Sequence, residues 1–419
     1  MKRKIAVIGT GISGLGAAWL LHSHHAITVY EKNDYIGGHS RTVEVNTKEG
    51  VIPVDTGFIV FNKPNYPLLT RLFDRLKVPY VESDMSFGAS IGNGWLEYST
   101  QSLGSLFAQK RNLLRPAFWG MVGDILKFNK SAEAYLAKGP NFTLGDCLDE
   151  LGLRHWFRHY FLLAMGGAIW STPQEVMLKF PASTFVRFFK NHGLLTVNDH
   201  PQWYTVCGGS REYVRRLTAP YTELIHANRG VAKVWRSGSS VIVEDVRGEQ
   251  TSYDDVVFAC HADQALAMIG DPSADERTIL SAFRYQPNRA VLHSDLSYMP
   301  KRRNAWASWV YLSEGSADDT TSVSLSYWMN NLQPLPTDMP LIVTLNPSRE
   351  PDPKLVYNDY IFEHPIFDST AIRNQHLIDG LQGQNHLWFC GAYQRYGFHE
   401  DGFGSAIKMA ERMGIAPPW

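Results

Sequence analysis

Residues 4–31 read KIAVIGTGISGLGAAWLLHSHHAITVYE: an apolar run, a glycine-rich turn, a helix-like stretch and a second apolar run ending in an acid. A strand, a glycine turn and a helix in this order hold the adenosine half of a dinucleotide. Gly9 allows the tight turn, Gly11 lets the backbone approach a pyrophosphate, and Gly14 lets the helix pack closely on the strand. The sequence therefore predicts a Rossmann-like nucleotide site at the start of the chain.

Two further features of this stretch indicate how the nucleotide is bound. Glu31 lies 22 residues after Gly9 (31 − 9), where a carboxylate accepts hydrogen bonds from ribose hydroxyls. An acid at this position, instead of an arginine, disfavours a 2′-phosphate and therefore NADP. The helix that begins around Ser13 presents free N–H groups and a positive dipole end to the phosphates.

Three more elements follow along the chain. Residues 37–42 read GGHSRT, in which Gly37 and Gly38 expose backbone N–H groups and Arg41 supplies a charged fork for an anion. Residues 54–58 read VDTGF, and residues 387–406 run from a buried strand ending at a glycine into a closing helix. Glycine elements at both ends indicate that one nucleotide domain is assembled from distant segments.

In this order, the elements resemble those of the flavin-containing amine oxidase and phytoene desaturase superfamily. The resemblance implies an α/β fold with a Rossmann-like FAD-binding domain, an inserted mixed α+β substrate domain and non-covalent FAD. It also implies FAD contacts for the residues that match the motifs. These are Gly9, Gly11, Ser13, Gly14, Glu31, Gly37, Gly38, His39, Arg41, Thr42, Asp55, Gly57, Val231, Gly391, Asp401 and Gly402. His39 departs from the pattern, since the superfamily often has arginine there.

Five stretches narrow the resemblance to one branch: DTGFIVFN (55–62), FAQKRNLLRP (107–116), AIWSTP (168–173), NHGLL (191–195) and YGFHEDG (396–402). This branch contains the flavoprotein region of plant cyclopropane fatty acid synthases. It also contains a bacterial desaturase of methylated fatty acyl chains on the route to furan fatty acids. The resemblance implies a fatty acyl or phospholipid substrate and, as a partner, a lipid methyltransferase.

Composition indicates which binding partners and which cellular compartment to expect. The 419 residues carry 40 basic and 41 acidic side chains, a balance that gives no case for nucleic acid. No apolar run reaches the roughly 18 to 20 residues of a membrane span. The four cysteines lack CxxC spacing, and no His, Cys or Asp cluster has metal-ligand spacing, so no metal is expected. We expect a cytoplasmic protein, at most peripheral to the inner face of the membrane.

The order of the motifs predicts a discontinuous domain arrangement. We expect residues 1–85, 205–270 and 375–419 to form the FAD-binding domain, and residues 86–204 and 271–374 to form the substrate domain. Pro116 predicts a helix start. The region around this helix start mixes cations with aromatic side chains, which fits either an anionic bilayer or a solvated helix face. The residues concerned are Lys110, Arg111, Arg115, Phe118, Trp119, Lys127, Phe128 and Lys130.

The candidate catalytic residues are His399, Glu400 and Tyr396, because the motif that contains them lies beside the flavin ring in the superfamily. Gly402 is expected to open the closing helix there. His399 is a candidate base near neutral pH, whereas capping or another structural role is the alternative for His399 and Glu400. The branch resemblance, together with aromatic middle segments, implies a long apolar tunnel for an acyl chain. These segments contain Trp119, Trp170, Phe185, Phe188 and Phe189.

The branch resemblance implies, as the leading function, a desaturase that removes hydride from an unsaturated or methylated fatty acyl chain. Three alternatives stay open: a fatty acid double-bond isomerase, an amine oxidase that produces aldehyde and hydrogen peroxide, and a non-catalytic flavoprotein partner of a lipid methyltransferase. Two features of amine oxidases, a lysine near the flavin and a compact aromatic cage, are not identifiable in the sequence.

Overall fold

The computed structural model of the protein describes residues 2–170, 174–196, 201–314 and 323–419. Residues 171–173 of the AIWSTP stretch lie outside this part of the chain. The described strands are β1 (Lys4–Ile8), β2 (Ala26–Tyr30), β3 (Thr42–Thr47), β4 (Gly50–Asp55), β5 (Val60–Asn62), β6 (Tyr80–Ser83), β7 (Phe87–Ile91), β8 (Leu96–Ser99), β9 (Trp203–Val206), β10 (Ile225–His226), β11 (Val231–Ser237), β12 (Ser240–Asp245), β13 (Gln250–Tyr253), β14 (Asp255–Phe258), β15 (Tyr285–His293), β16 (Trp309–Ser313), β17 (Val323–Trp328), β18 (Ile342–Leu345), β19 (Val356–Pro365) and β20 (Leu387–Phe389).

Helices alternate with these strands, and short 3-10 turns such as Ala392–Gln394 lie between them. The described α-helices are α1 (Ile12–Leu21), α2 (Pro67–Leu76), α3 (Leu103–Leu106), α4 (Pro116–Ser131), α5 (Leu144–Glu150), α6 (His155–Phe157), α7 (Leu163–Trp170), α8 (Gln174–Met177), α9 (Ala182–Asn191), α10 (Arg211–Thr218), α11 (Ala262–Met268), α12 (Ala274–Leu280), α13 (Met329–Leu332), α14 (Ser369–Gln375) and α15 (His399–Arg412). Among them, none combines the length and the apolar composition that spanning a bilayer requires.

A five-stranded parallel sheet forms the nucleotide half, in the order β10-β2-β1-β14-β20. Parallel strands are covered on both faces, which is why β1 is a continuous apolar run. Helix α1 is buried along its whole length, because the sheet lies on one side of it and α15 on the other. A Cβ on Gly402 would approach Ile12 and Ser13 to 2.9 Å, so this glycine allows α15 to pack against α1.

A seven-stranded mixed sheet forms the other half, in the order β19-β15-β18-β17-β16-β7-β8, with β16 and β7 as its parallel pair. Its apolar core is shared with the helices of the segment between β8 and β9, including the buried side chains of Phe118, Phe157 and Phe185. Helix α4 begins at Pro116, as the sequence predicts.

The strands of the five-stranded sheet come from three separate parts of the chain, 4–30, 225–258 and 387–389. Each part lies inside one of the three segments expected to form the nucleotide domain. Strand β9 begins two residues before the expected boundary at 205 and pairs with β5 and β6, on the nucleotide side of that boundary. The exact boundaries stay a prediction.

Candidate functional site

One cavity of about 1670 Å³ is lined by residues of both sheets. Its nucleotide end is formed by Gly9, Gly11, Glu31 and Val231, and its middle by Gly57, Gly391, Tyr396 and His399. Beyond the middle lies an apolar lobe, which we define as Phe161, Met165, Ile169, Trp170, Phe188 and Trp203. Ligand pockets commonly measure about 300–1,000 Å³. This cavity therefore has room for a dinucleotide together with a second, elongated ligand.

The glycine turn at the nucleotide end has the geometry of a pyrophosphate site. Gly9 has φ +105° and donates its N–H to the carbonyl of Tyr30 at 2.8 Å. A Cβ on Gly14 would lie 1.9 Å from the carbonyl oxygen of Gly9, so no other residue fits there. Gly11 is different: its φ is −64°, and a Cβ would meet no protein atom within 4 Å. The chain itself therefore does not require glycine at position 11, whereas a ligand approaching the backbone would.

Glu31 is buried at the nucleotide end and is held by the same turn. Its Oε2 accepts hydrogen bonds from the backbone N–H of Thr10 at 3.1 Å and from the Thr10 hydroxyl at 2.5 Å. Its Oε1 accepts one from the N–H of Asn33 at 2.8 Å. A carboxylate oxygen has two lone pairs, so Oε1 can accept a further bond from a ribose hydroxyl while Thr10 fixes the other oxygen.

The glycine pair Gly37 and Gly38 packs against the glycine turn at Gly9 to Gly14. A Cβ on Gly38, which has φ +59°, would lie 2.9 Å from the Cα of Gly11, and both Gly38 and His39 line the cavity. The neighbouring Gly37, Arg41 and Thr42 lie outside the lining. The Arg41 guanidinium donates to Asn358 Oδ1 at 2.7 Å and lies over the ring of Tyr360 at 4.4 Å. Arg41 thus has other partners, and its contact with a cofactor phosphate stays a prediction.

Three histidines from distant parts of the chain line the cavity beside this element. The rings of His39 and His364 lie 5.3 Å apart, and His261 stacks on Tyr285. Burial lowers the pKa of His39 to about 4. Burial and then the neighbouring charges lower the pKa of His261 and of His364 to about 3. At neutral pH this histidine cluster is therefore uncharged, and it lines the cavity with hydrogen-bonding nitrogens.

Asp55 braces the two halves of the protein. Its carboxylate accepts hydrogen bonds from the Ser210 hydroxyl at 2.7 Å, the Thr42 hydroxyl at 2.6 Å and the Gln333 amide at 2.8 Å. Burial raises the pKa of Asp55 to about 6, against the opposing effect of these bonds. Asp55 lies outside the cavity lining, whereas Gly57, two residues later, is part of it. The structure thus gives Asp55 a bracing role, and its cofactor contact stays a prediction.

The candidate catalytic residues near the start of α15 have different surroundings. His399 lines the cavity, stacks on Phe58 with ring centroids 3.9 Å apart, and lies with its Nε2 2.8 Å from the Ser40 hydroxyl. Burial and then the nearby His39 lower the pKa of His399 to about 3, so its imidazole is neutral and a weak base at neutral pH. Tyr396 also lines the cavity, 6.4 Å from the ring of Phe188 between ring centroids.

Glu400 points away from the cavity, and its two oxygens accept the backbone N–H groups of Leu68 and Leu69, each at 2.9 Å. It therefore caps the N-terminus of α2, which satisfies two of the free N–H groups of that helix. Asp401 accepts the N–H groups of Tyr396 at 3.2 Å and Phe398 at 3.0 Å. Burial raises the pKa of Glu400 above its usual range and that of Asp401 to about 6.

One detail of this segment was wrongly predicted. Helix α15 begins at His399 instead of Gly402, because Asp401 caps the turn before it. Gly402 lies inside the helix, and its N–H bonds to the carbonyl of Phe398 at 3.0 Å. Gly402 and Asp401 both lie outside the cavity lining, and so does the buried Cys390.

Sequence reasoning missed several residues of this site. Phe58 and Ser40, which hold the His399 ring, lie within the VDTGF and GGHSRT stretches, but no role was predicted for either, and His261 and His364 carry no local signal. Of the aromatic residues expected in a tunnel, Trp170 and Phe188 line the cavity, Phe185 and Phe189 belong to the core, and Trp119 is exposed. Among the described residues, no group of three or more His, Cys, Asp or Glu side chains is placed to hold a metal ion.

The chain has known structural relatives. Residues 7–76 match the family model described as an NAD(P)-binding Rossmann-like domain. No curated protein matches the sequence. A CLA-producing fatty acid isomerase from P. acnes is 15% identical, with a TM-score of 0.70 and 99% of both chains covered. Putrescine oxidase bound to putrescine has the same identity, TM-score and coverage. Cyclohexylamine oxidase from Brevibacterium oxydans IH-35A is 15% identical, with a TM-score of 0.68 and coverage of 99% of this chain and 100% of that chain.

The fold and the site together define a chain of amine-oxidase-like architecture with a Rossmann-like nucleotide half. The fold class predicted from the sequence is confirmed, with a Rossmann-like parallel-sheet core and a second half built on a mixed sheet. At 15% identity the similarity to solved structures establishes this fold, and the chemistry has to be argued from the residues of the cavity.

Proposed function

We propose that this protein is an FAD-dependent oxidoreductase that acts on a fatty acyl chain. The fit of FAD rests on the open space at Gly11, on Gly38 and His39 lying against the pyrophosphate turn, and on a cavity that continues far beyond a nucleotide. Bound FAD supplies a hydride acceptor. The proposed FAD is held non-covalently, because Cys390 lies outside the cavity lining, and burial raises the pKa of its thiol and also, to about 12, the pKa of Cys260, which lines the cavity.

The observation that carries the substrate class is the apolar lobe. Its aromatic and aliphatic walls suit a long chain, since each buried methylene contributes roughly 0.8 kcal/mol. An amine would be held by a compact aromatic cage or by a carboxylate. Asp84 lines the cavity, and its Oδ1 accepts hydrogen bonds from the Ser308 hydroxyl at 2.7 Å and the Asn331 amide at 2.9 Å. The preference for an acyl chain over an amine rests on the apolar walls of the lobe.

Two residues are proposed to act beside the reacting carbon. Tyr396 adjoins the lobe through Phe188 and is placed to orient the chain. His399 is fixed by Ser40 and Phe58, so it offers a neutral imidazole in one orientation. Because the pKa of His399 is about 3, we assign this residue a positioning and hydrogen-bonding role and not the storage of a proton. Glu400, which caps α2, is not part of the proposed chemistry.

We favour desaturation, in which the acyl chain loses a hydride and a proton and gains a double bond. The decisive experiment is an anaerobic single turnover with vesicles that carry unsaturated or methylated acyl chains, followed by mass spectrometry of the lipids. A loss of two hydrogens, with one new double bond per bound FAD, supports the desaturase. An unchanged mass with a moved double bond supports an isomerase instead.

The remaining alternatives are tested in a second, aerobic experiment, in which a simple amine is offered alongside the lipid. Formation of an aldehyde and hydrogen peroxide from a simple amine in air, without any change of lipid, would refute the lipid substrate and favour an amine oxidase. Protein that keeps its FAD but changes neither lipid nor amine would favour the non-catalytic partner of a lipid methyltransferase.

A further inference from the structure

Five large apolar side chains stand exposed within one short part of the chain. They are Leu103, Leu113, Leu114, Trp119 and Leu126, with exposed fractions of 79%, 48%, 87%, 50% and 55%. The other exposed large apolar side chains of the described residues are scattered singly. Single exposed leucines need no explanation, but a cluster of this kind marks an interaction surface.

These side chains form one surface that continues into the cavity. The Trp119 indole donates to the carbonyl of Leu113 at 2.9 Å, and its ring lies 5.4 Å from that of Phe107. Leu103 and Leu126 line the cavity although more than half of each is exposed. The cavity therefore reaches the protein surface between α3 and α4, at two members of the apolar cluster.

The same segment is strongly basic. Residues 103–130, which we call the docking segment, contain a single acid, Asp124, whose carboxylate is paired with Arg154 at 2.8 Å. The hydrogen bonds of Arg111 and Lys127 go to backbone carbonyls, so these bonds leave the charges unneutralised. A chain with a net charge of −1 thus carries a local excess of positive charge around this opening. The basic residues of the segment are Lys110, Arg111, Arg115, Lys127 and Lys130.

We propose that the docking segment binds the surface of an anionic lipid bilayer, so that acyl chains pass from the leaflet into the cavity between α3 and α4. The exposed leucines and Trp119 would enter the acyl and headgroup boundary, while the basic side chains pair with lipid phosphates. The inference extends the proposed function, since it names the bilayer as the source of the acyl substrate.

The position of the opening distinguishes a bilayer from other occupants. A protein partner or a second copy of this chain seated on the leucines would cover Leu103 and Leu126 and close the opening to the cavity. A bilayer in the same place supplies the ligand that the apolar lobe fits. The charges also favour a bilayer, because an anionic surface complements the five basic side chains of the docking segment. The single acid of the segment is already paired with Arg154.

The test is co-sedimentation of the purified protein with vesicles of phosphatidylcholine, with and without about 30% phosphatidylglycerol. The phosphatidylglycerol gives the vesicle surface a clearly negative charge. We expect binding to the anionic vesicles that weakens as salt is raised. Leu114→Glu should reduce the partition coefficient at least about tenfold, since it removes one fully inserted leucine and adds a like charge. Val51→Glu, at an exposed apolar residue of the β3–β4 hairpin, is the matched control and should bind as the wild type does.

Charge is tested separately. Lys110→Ser with Lys130→Ser should weaken binding roughly 25-fold, at about fivefold for each cation near an anionic surface. Lys48→Ser with Lys354→Ser, at two exposed lysines outside the docking segment, serves as the control. Equal binding of these two double variants, or of Leu114→Glu and Val51→Glu, would overturn the proposal. So would wild-type protein that stays in the supernatant with anionic vesicles.

Two further outcomes distinguish the docking proposal from the proposed fatty acyl substrate. Protein that binds vesicles through the docking segment but converts no lipid supports docking and refutes the proposed substrate. Protein that converts a soluble fatty acid but ignores vesicles supports the substrate and refutes docking. A lipid-free dimer that Leu114→Glu dissociates, seen by analytical ultracentrifugation, would assign the surface to a second copy of the chain and also overturn the proposal.

Discussion

Gly11→Ala should weaken cofactor binding while the protein keeps its fold. The added methyl group points into the cavity, where it meets no protein atom within 4 Å, and φ at this position is already −64°. As the N-cap of α1, alanine should cost the cofactor-free protein no more than about 1 kcal/mol of stability. In the complex the methyl group occupies the closest approach of the pyrophosphate to the backbone. A methyl group forced into a filled space costs roughly 1–3 kcal/mol, so we expect FAD binding to weaken roughly 5- to 150-fold.

The measurement is titration of cofactor-free protein with FAD by calorimetry, together with thermal unfolding of the same samples. Gly380→Ala is the matched control, because a Cβ there also meets no atom within 4 Å and the residue lies outside the cavity lining. Gly14→Ala should instead unfold the protein, since its Cβ would lie 1.9 Å from the carbonyl oxygen of Gly9. FAD affinity in Gly11→Ala equal to that of Gly380→Ala would refute the placement of the pyrophosphate at this turn.

Four other outcomes are expected. Glu31→Ala should weaken FAD binding by about 1–3 kcal/mol in the same titration, as the loss of a charge-assisted hydrogen bond does, and unchanged affinity would show that Glu31 only fixes Thr10. His399→Ala should retain FAD yet slow its reduction by lipid in stopped-flow absorbance, whereas an unchanged rate would leave His399 a packing role. Glu400→Gln should lower the melting temperature through the loss of a charged cap on α2, at about 1–2 kcal/mol, and leave reduction unchanged; a slowed reduction with unchanged stability would restore Glu400 as a catalytic candidate. Stability should fall as pH drops from about 6.5 towards 4, because histidines with lowered pKa values take up protons only on unfolding; a rise in melting temperature over that range would mean that the raised pKa values of Asp55 and Asp401 dominate. The histidines concerned are His39, His192, His261, His293, His364 and His399.

The nucleotide half could be predicted because its determinants are contiguous. The turn at Gly9 to Gly14, the strands on either side of it and the acid at Glu31 all lie within 28 residues, and their spacing is set by the rise of a strand and a helix. Steric limits on a glycine such as Gly14 act over a few residues, so they are visible in the sequence alone.

Tertiary structure decided which side chains of a motif face the cavity. His399 and Glu400 are adjacent in sequence, but successive helical residues lie about 100° apart around the axis, so one lines the cavity and the other caps α2, more than 330 positions earlier in the chain. The position of Asp55, at the end of strand β4, also depends on distant residues, since Gln333 and Ser210 hold it away from the lining.

The histidine cluster and the opening between α3 and α4 also depend on tertiary structure. His39 and His364 lie 325 positions apart (364 − 39), and no local periodicity reports on their meeting. The sequence by itself determined a nucleotide turn, its acid and a helix beginning at Pro116. Only the packing of the two halves determined where the cavity runs, because burial is a property of surfaces brought together from distant segments.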